Sequence, residues 1–201
     1  MPHQSLAIEC CEVTVEPPKD ALDYMRRYKA LRKAASVKSK SKQGIIKMEV
    51  IMTKILVIYH SQQFGNTRIL AEALAQGARE EGAEAVLTNT NERRVTLEEF
   101  LAADAIALGT PDYYSYVAGT IKTFFDDMYI WDMAGEPVKA KPAALFLSHG
   151  TGGRARGPLE QFGERFFEQV GETVGSARPI GDDAKEKCKA LGRELAKKAH
   201  K

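Results

Sequence analysis

Residues 54–75 constrain the fold most strongly, because they contain a strand pattern, a polar turn and a helix pattern in direct succession. Four consecutive apolar residues, Ile55 to Ile58, are typical of a strand covered on both faces, as in a parallel sheet between helices. The helix pattern has its apolar residues at the spacing of one buried stripe: Ile69, Leu70, Ala73 and Leu74. This succession predicts the opening β-turn-α unit of an α/β domain.

The turn at residues 61–67 has the composition of a phosphate-binding loop. It combines a glycine, hydroxyl and amide side chains, and the open N–H groups of a helix start, all of which favour an anion. The ATP-binding pattern G-x-x-x-x-G-K-[ST] and the dinucleotide pattern G-x-G-x-x-G are both absent. A neutral, hydroxyl-rich loop indicates a single phosphate monoester. An ordinary helix N-cap made by Ser61, Asn66 or Thr67 explains the same residues equally well.

Composition narrows the class of protein. Hydrophobic residues make up 44% of the 201 residues and charged residues 28%, as in a soluble globular protein. No apolar run approaches the roughly 20 residues of a membrane span, and the N-terminus lacks a signal-peptide pattern, so we expect a cytoplasmic protein. The three cysteines form no C-x-x-C pair and the four histidines show no metal-ligand spacing. A zinc site or a disulfide framework is therefore not predicted.

Charge divides the chain into two parts. Residues 1–51 contain ten Lys/Arg and six Asp/Glu, whereas residues 52–201 contain slightly more acidic than basic residues. We expect residues 1–51 to be a basic extension, partly helical or disordered, and residues 52–201 to form a domain. Two alternatives are a basic amphipathic arm that docks on a partner and a translation start assigned too far upstream, because Met48 or Met52 would open the domain directly. A nucleic-acid-binding surface on the domain is not predicted.

Strand and helix patterns alternate from residue 52 onward. We expect further strands over residues 83–88, 104–109, 142–148 and 172–179. We expect further helices over residues 97–101, 119–128, 159–170 and 183–198. Five strands alternating with helices predict right-handed crossovers and a doubly wound parallel sheet. Ligands of such sheets bind beyond the carboxyl ends of the strands, where three loops would meet: residues 61–67, 110–116 and 148–153.

The second and third of these loops have unusual compositions. Residues 110–116 contain three tyrosines within four positions, which could stack on a flat ring or pack on a neighbouring helix or subunit. Residues 148–153 contain three glycines, which let the backbone approach a ligand closely. His149 could donate a proton or contact a bound ring, and a structural hydrogen-bonding role is supported equally well.

Two motifs resemble a known family. Residues 109–126, GTPDYYSYVAGTIKTFFD, resemble the pattern G-[ST]-P…G-x-[MIL]-K-x-F-[FL]-D of the flavodoxin-like FMN proteins and of their quinone-reductase branch, named for a tryptophan-repressor-binding protein. Residues 65–67 resemble the end of the flavodoxin phosphate motif [ST]-x-[ST]-G-N-[ST]. Ser61 lies one residue further from Gly65 than this motif requires, and Phe64 occupies the place of its middle hydroxyl. The quinone-reductase branch also has an aromatic residue there. The resemblance covers residues 52–201.

The resemblance implies a flavodoxin-like three-layer sandwich with a five-stranded parallel sheet in the order 2-1-3-4-5. It implies non-covalent FMN as the cofactor, with the redox chemistry supplied by the flavin, no catalytic side chain and no metal. The cofactor-binding residues that it implies lie in the three loops: Ser61, Gln63, Phe64, Gly65, Asn66, Thr67, Thr110, Pro111, Asp112, Tyr113, Tyr114, Ser115, Ser148, His149, Gly150 and Gly152.

Three functions compete for this chain. The first is an FMN redox protein that passes electrons to a redox partner protein or to a small acceptor. The second is an NAD(P)H-dependent quinone oxidoreductase, in which NAD(P)H reduces the flavin and a small quinone removes the electrons. The near-neutral charge of residues 52–201 favours the second, since electron-carrier flavodoxins are strongly acidic around the flavin, whereas the lack of room for long insertions favours the first. The third is a binding module that has lost the cofactor. The oligomeric state stays open, with a dimer as one option.

Overall fold

A computed structural model of the protein describes residues 52–200, and the predicted extension over residues 1–51 lies outside the described residues. The described residues alternate between strands and helices, as the sequence predicts. The elements are β1 (Lys54–Tyr59), α1 (Asn66–Glu80), β2 (Glu84–Asn89), α2 (Leu97–Ala102), β3 (Ala105–Pro111), α3 (Gly119–Met133), β4 (Lys141–His149), α4 (Arg156–Phe166), β5 (Phe167–Gln169), β6 (Val174–Ala177) and α5 (Asp182–Ala199).

The strands form one parallel sheet in the order β2-β1-β3-β4-β5, which confirms the predicted order. β1 pairs with β2 on one side and with β3 on the other, and Ile55 lies opposite Ala85 and Ala105. Parallel pairing directs the carboxyl ends of all these strands to one edge of the sheet. The loops that follow β1, β3 and β4 therefore leave the sheet on the same side.

The fifth position of the sheet differs from the prediction. The predicted helix over residues 159–170 is wrong at its C-terminal end, because α4 ends at Phe166 and β5 begins at the next residue. β5 and β6 both pair with β4 in parallel, with Phe167 opposite Lys141 and Val174 opposite Phe146. The predicted strand over residues 172–179 thus contains only β6, and β5 is a second short strand alongside the same neighbour.

One face of the sheet is covered by α1 and α5. Alternate residues of β1 pack against these helices, as do the alanines of β3 and β4 together with the larger Phe146 of β4. The strand residues on this face are Ile55, Val57, Tyr59, Ala105, Ala107, Ala144 and Phe146. The two helices touch through backbone, since a Cβ on Gly77 would lie 2.0 Å from the Lys189 carbonyl oxygen and a Cβ on Gly192 would lie 2.0 Å from that of Leu74. Only glycine permits so close an approach.

The opposite face is covered by α2, α3 and α4 and is rich in aromatic side chains. Phe100 of α2 is fully buried and lies 5.9 Å from Trp131 of α3, measured between ring centroids. Phe125 of α3 stacks on Phe162 of α4 with centroids 4.6 Å apart. Large rings thus fill the volume on this side of the sheet. Together the two helical layers and the sheet form the three-layer sandwich.

Two helix termini are closed by specific hydrogen bonds. Thr96 caps α2 in a capping box with Glu99, each side chain accepting a hydrogen bond from the backbone of the other. α1 ends in a Schellman motif, because Gly82, at φ 82°, donates its N–H to the carbonyl of Arg79 and Ala83 donates to that of Ala78. Among residues 52–200, no helix is both long and apolar enough to cross a membrane.

Candidate functional site

The loops after β1, β3 and β4 meet in one open cleft of about 250 Å³ at the carboxyl edge of the sheet. Most of the predicted site residues line it: Ser61, Gln63, Phe64, Gly65, Asn66, Thr67, Pro111, Asp112, Tyr113, Ser148, His149 and Gly150. Four predicted residues are not part of its wall: Thr110, Tyr114, Ser115 and Gly152. Gln62 and Arg178 line the cleft as well, and the sequence did not indicate them.

The first loop leads into α1 without a side-chain cap at its N-terminus. Gly65 occupies the N-cap position in the left-handed conformation, with φ 69°, and contributes no side chain. The Ser61 hydroxyl accepts a hydrogen bond from the Arg68 N–H at 3.3 Å. Within residues 52–200, no acceptor meets the N–H groups of Asn66 and Thr67. The alternative of an ordinary N-cap therefore accounts for one N–H group only, and the helix start retains free donors for an anion.

Asn89 at the end of β2 fixes the backbone of Ser61. Its side-chain Oδ1 accepts from the Ser61 N–H at 3.0 Å, and its Nδ2 donates to the Ser61 carbonyl at 2.9 Å. The side-chain amide of Asn89 thus makes one donated and one accepted hydrogen bond to the backbone of Ser61, as the backbone of a neighbouring strand would. The pairing follows from the strand register, which places Asn89 opposite Tyr59. The sequence could not supply that register, and Asn89 was accordingly missed.

A buried hydrogen bond joins the first loop to the third. The Thr67 and Ser148 hydroxyls lie 2.8 Å apart, and both side chains are almost fully buried. Since Thr67 lies in the first turn of α1 and Ser148 lies near the end of β4, the bond fixes the distance between the helix start and the third loop. Two predicted site residues therefore stabilise the cleft directly.

Asp112 holds the second loop to its neighbours. Its N–H donates to the Ser148 carbonyl at 2.7 Å, and its carboxylate accepts from the N–H groups of Ser115 at 2.8 Å and of Ala155 at 3.2 Å. Ala155 is the N-cap residue of α4. Both carboxylate oxygens are thus used within the protein. The geometry gives Asp112 a structural role in the cleft wall.

The tyrosine cluster forms a tight turn. Tyr113 and Tyr116 exchange two backbone hydrogen bonds of 3.1 Å, and the two residues between them, Tyr114 and Ser115, have φ of 54° and 66°. Two successive left-handed residues are the signature of a type I′ turn, which usually contains Asn-Gly. The turn directs Tyr114 fully into solvent and leaves Tyr113 in the cleft wall.

Two histidines lie at the site. The Nδ1 atom of His149 is buried in the cleft wall and has no hydrogen-bond partner among the described residues. His60 lies behind the wall, with its Nδ1 atom 2.8 Å from the Thr120 hydroxyl and its ring edge-on to Tyr113 at 5.6 Å. Burial lowers the pKa of His60, so its neutral form predominates at neutral pH. His60 therefore supports Tyr113 without adding charge.

Arg178, which follows β6, supplies a positive charge to the cleft. Its guanidinium carbon lies 5.4 Å from the centre of the Phe64 ring, within the range of a cation–π contact. The backbone N–H of Arg178 donates to the His149 carbonyl at 3.0 Å. The position of Arg178 depends on the pairing of β6 with β4, two strands that are distant in the sequence, and for that reason no local pattern predicts it.

Comparison with known proteins identifies the family. The sequence profile of the flavodoxin family, described as Flavodoxin, matches residues 57–194. A flavodoxin from Aquifex aeolicus (strain VF5) is 34% identical over 165 residues, which cover 72% of this chain and 86% of the relative.

Solved structures share the fold. A flavodoxin from the domain Archaea superposes with a TM-score of 0.65 at 23% identity, over 74% of this chain and all of the archaeal one (100%). A WrbA-like flavodoxin from Agrobacterium tumefaciens gives a TM-score of 0.60 at 20% identity, over 74% of this chain and 98% of its own. Both belong to the same three-layer architecture as residues 52–200.

The cleft fits the cofactor of this family. The free N–H groups at the start of α1 suit the phosphate of FMN, and the Tyr113 ring and the unpartnered Nδ1 atom of His149 suit a flat, polar-edged ring. The profile match, the relative from Aquifex aeolicus and the sheet order agree with one another. The chain belongs to the flavodoxin family, whose members bind FMN and transfer electrons.

Proposed function

We propose that this protein is an electron carrier that holds FMN in the cleft and exchanges electrons with redox partner proteins. The observation that supports the proposal is the meeting of three loops in one cleft, with polar donors at one end and an aromatic wall at the other. FMN, when bound, supplies the electron-transfer chemistry, and the chain positions it and controls access.

At the polar end, Ser61, Gly65, Asn66 and Thr67 would hold the phosphate. The N–H groups of Asn66 and Thr67 lack protein acceptors within the described chain, so an anion there would gain hydrogen bonds without displacing existing ones. When Ser148 donates the bond that joins the two hydroxyls, the Thr67 hydroxyl keeps its own proton to donate to a phosphate oxygen. The bond to Ser148 orients that hydroxyl in advance, which lowers the entropic cost of binding.

At the aromatic end, Pro111, Asp112 and Tyr113 would lie along one side of the flavin and His149 and Gly150 along the other. Asp112 keeps its carboxylate on backbone N–H groups, so the second loop presents a pre-formed surface. His149, whose buried Nδ1 atom has no partner among the described residues, lines this side of the cleft. Tyr114 and Ser115 lie at the outer margin in this geometry.

The margin of the cleft suits a protein partner. Four aromatic side chains are exposed there: Phe64, Tyr113, Tyr114 and Tyr116. Exposed aromatic residues are enriched at protein interfaces, where they supply contact area at low entropic cost. A transient partner docking on this margin would reach the cofactor without a second binding cavity, which favours the carrier over a reductase.

The test is an absorption spectrum of the purified protein followed by stopped-flow mixing with NADH, NADPH and a benzoquinone. A carrier should be yellow, should be bleached by dithionite or a partner reductase, and should react slowly with both nicotinamides. Rapid bleaching by NADH or NADPH, with reoxidation by the quinone, would establish the NAD(P)H-dependent quinone oxidoreductase instead. Colourless protein that takes up no added FMN would contradict both functions.

A further inference from the structure

We propose that Arg178 determines the preference of this site for a phosphorylated flavin, by supplying a positively charged donor that the first loop lacks. The inference rests on the proposed FMN site and adds to it a residue outside the three loops. It also assigns Phe64 a role as the support of the Arg178 guanidinium, at a position where the family motif has a hydroxyl.

The pairing of β6 with β4 places Arg178 at the cleft, and α5, which follows it, packs closely on α1. Gly77 and Gly192 let the two helix backbones touch. Ion pairs join the C-terminal ends, Arg193 with Glu80 and Lys197 with Glu81. In the sheet β3 and β4 lie between β1 and β6, and the Arg178 backbone N–H is bonded to the His149 carbonyl at the end of β4, so Arg178 lines the same cleft as the first loop. Arg178 belongs to the loop before α5.

One backbone hydrogen bond and two side-chain approaches place Arg178 over the cleft. The guanidinium lies over the Phe64 ring at 5.4 Å, and the backbone N–H is bonded to His149. A Cβ on Gly150 would lie 3.7 Å from Nε, so the side chain runs directly across the third loop. The guanidinium thereby bridges the first and third loops on the side of the cleft where α1 begins.

The charge of Arg178 is available to a ligand. Across residues 52–200, no carboxylate lies within ion-pair distance of its guanidinium. Arg68, the other arginine near the helix start, pairs with Glu92 at 2.9 Å and does not line the cleft. Among the residues that line the cleft, Arg178 is the only arginine or lysine, and the one carboxylate, Asp112, is satisfied by backbone N–H groups.

The pairing with Phe64 explains the departure from the family motif. A phenylalanine at this position removes a neutral hydroxyl donor from the phosphate loop. The same ring provides the face on which the guanidinium rests. A charge-assisted hydrogen bond from arginine to a phosphate is about twice as strong as a neutral one, and the guanidinium can donate two at once. The exchange of a hydroxyl for the Phe64–Arg178 pair therefore strengthens phosphate recognition.

The experiment compares two flavins that differ only in the phosphate. Apoprotein is titrated with FMN and with riboflavin, and binding is followed by quenching of flavin fluorescence. In Arg178→Gln we expect FMN affinity to fall about 10- to 50-fold, from the loss of one charge-assisted contact, and riboflavin affinity to change less than about twofold. Arg178→Lys should recover part of the loss. Arg154→Gln, which removes an exposed arginine of the third loop, is the matched control and should change neither affinity.

A second variant tests the support by Phe64. Phe64→Leu keeps an apolar side chain but removes the aromatic face, so FMN affinity should fall about two- to fivefold in the wild-type background. The same change should have no effect in Arg178→Gln, which makes the pair non-additive. Increasing NaCl should weaken FMN binding more steeply in wild type than in Arg178→Gln, because the exposed charge is screened.

Two results would overturn the inference. Equal losses for FMN and riboflavin in Arg178→Gln would place Arg178 at the ring or in the fold, and unchanged affinity for both would give it no role. Urea unfolding of Arg178→Gln excludes a folding defect, since the side chain is exposed and its midpoint should match wild type. Failure of the proposed function would be distinct, because wild-type protein would then either bind neither flavin or, with FMN bound, be bleached rapidly by NADH or NADPH.

Discussion

The two helical layers of the protein pack against the sheet in different ways. The layer of α1 and α5 contains alanine and leucine but no aromatic side chain in its core cluster, and its helices touch through backbone at Gly77 and Gly192. The layer of α2, α3 and α4 is built from aromatic rings such as Phe100, Phe125 and Phe162. Small side chains bring helices to a fixed distance, whereas large rings fill volume and tolerate some repacking.

Because the two layers pack differently, we expect a change in each layer to affect the cleft differently. The loops before α1 and α5 form the polar end of the cleft, so any change in the distance between these helices moves the phosphate donors and Arg178. The aromatic layer supports the sheet from the other side and reaches the cleft only through the loops that precede α3 and α4. Damage to the first layer should therefore affect FMN binding, and damage to the second should mainly affect stability.

The largest loss of stability is expected from Phe100→Ala. The ring is fully buried and contacts Phe124, Trp131 and Phe167, so its removal leaves a cavity that costs about 3–5 kcal/mol of unfolding free energy. Urea unfolding measures the loss, and FMN titration below the transition should give an affinity within about twofold of wild type. A strong loss of FMN affinity in the folded variant would contradict the separation of the two layers.

Gly77→Ala should cost less stability but more function. The added Cβ would lie 2.0 Å from the Lys189 carbonyl oxygen, so the helices must separate, at about 1–3 kcal/mol. FMN affinity should fall because the two loops move apart. Gly157→Ala is the matched control in a helix, since a Cβ there meets no atom within 4 Å, and it should be neutral or stabilising by about 0.5–1 kcal/mol. Equal unfolding midpoints for the two variants would refute the backbone contact.

Asn89→Ala tests the fixation of the first loop. The substitution leaves the buried N–H and carbonyl of Ser61 without partners, which should cost about 1–2 kcal/mol. The loop should also become mobile, which would weaken FMN binding and speed amide exchange at Ser61. Asn91→Ala, which removes an exposed asparagine two residues later, is a suitable control. An unchanged exchange rate at Ser61 would show that other contacts hold the loop.

The smallest effect is expected from His60, which lies between the two layers and contacts Thr120 of α3. Burial lowers the pKa of His60, so below about pH 6.5 the unfolded chain takes up a proton that the folded chain resists. Stability should therefore fall as the pH drops through this range and should be unaffected above it. His60→Gln should lose this part of the pH dependence, as measured by urea unfolding at about pH 5.5 and pH 8. If the stability of wild type and of His60→Gln fell equally between about pH 8 and pH 5.5, His60 would not be the source of this pH dependence.

Periodic patterns predicted most of the fold, because strands buried on both faces and amphipathic helices leave clear marks in a sequence. β5 was missed for a physical reason. Phe166 and Phe167 continue the apolar pattern of α4, and pairing of Phe167 with Lys141 in β4 ends the helix there. Whether Phe167 continues the helix or joins the sheet depends on Lys141, which lies more than 20 residues earlier in the chain, so the local sequence around Phe167 does not predict the outcome.

The candidate site was predicted where loops follow strands and missed where distant elements meet. Asn89 depends on the register of β1 with β2, and Arg178 depends on the pairing of β6 with β4. The family resemblance implies Tyr114 as a cofactor-binding residue, whereas the turn exposes its side chain fully to solvent. The left-handed turn that directs it outward is normally indicated by Asn-Gly, and the sequence Tyr-Ser gives no such indication.

The most direct test of the account is the affinity of the apoprotein for FMN in wild type and in Asn66→Asp, with Gln76→Glu as a control for added charge on the exposed face of α1. Asn66→Asp places a carboxylate at the helix start, where it competes with the phosphate for the free N–H groups and repels it. The account predicts one FMN bound per wild-type chain, affinity reduced by about tenfold or more in Asn66→Asp, and no change in Gln76→Glu. Wild-type affinity in Asn66→Asp would contradict it, because the phosphate would then lie elsewhere.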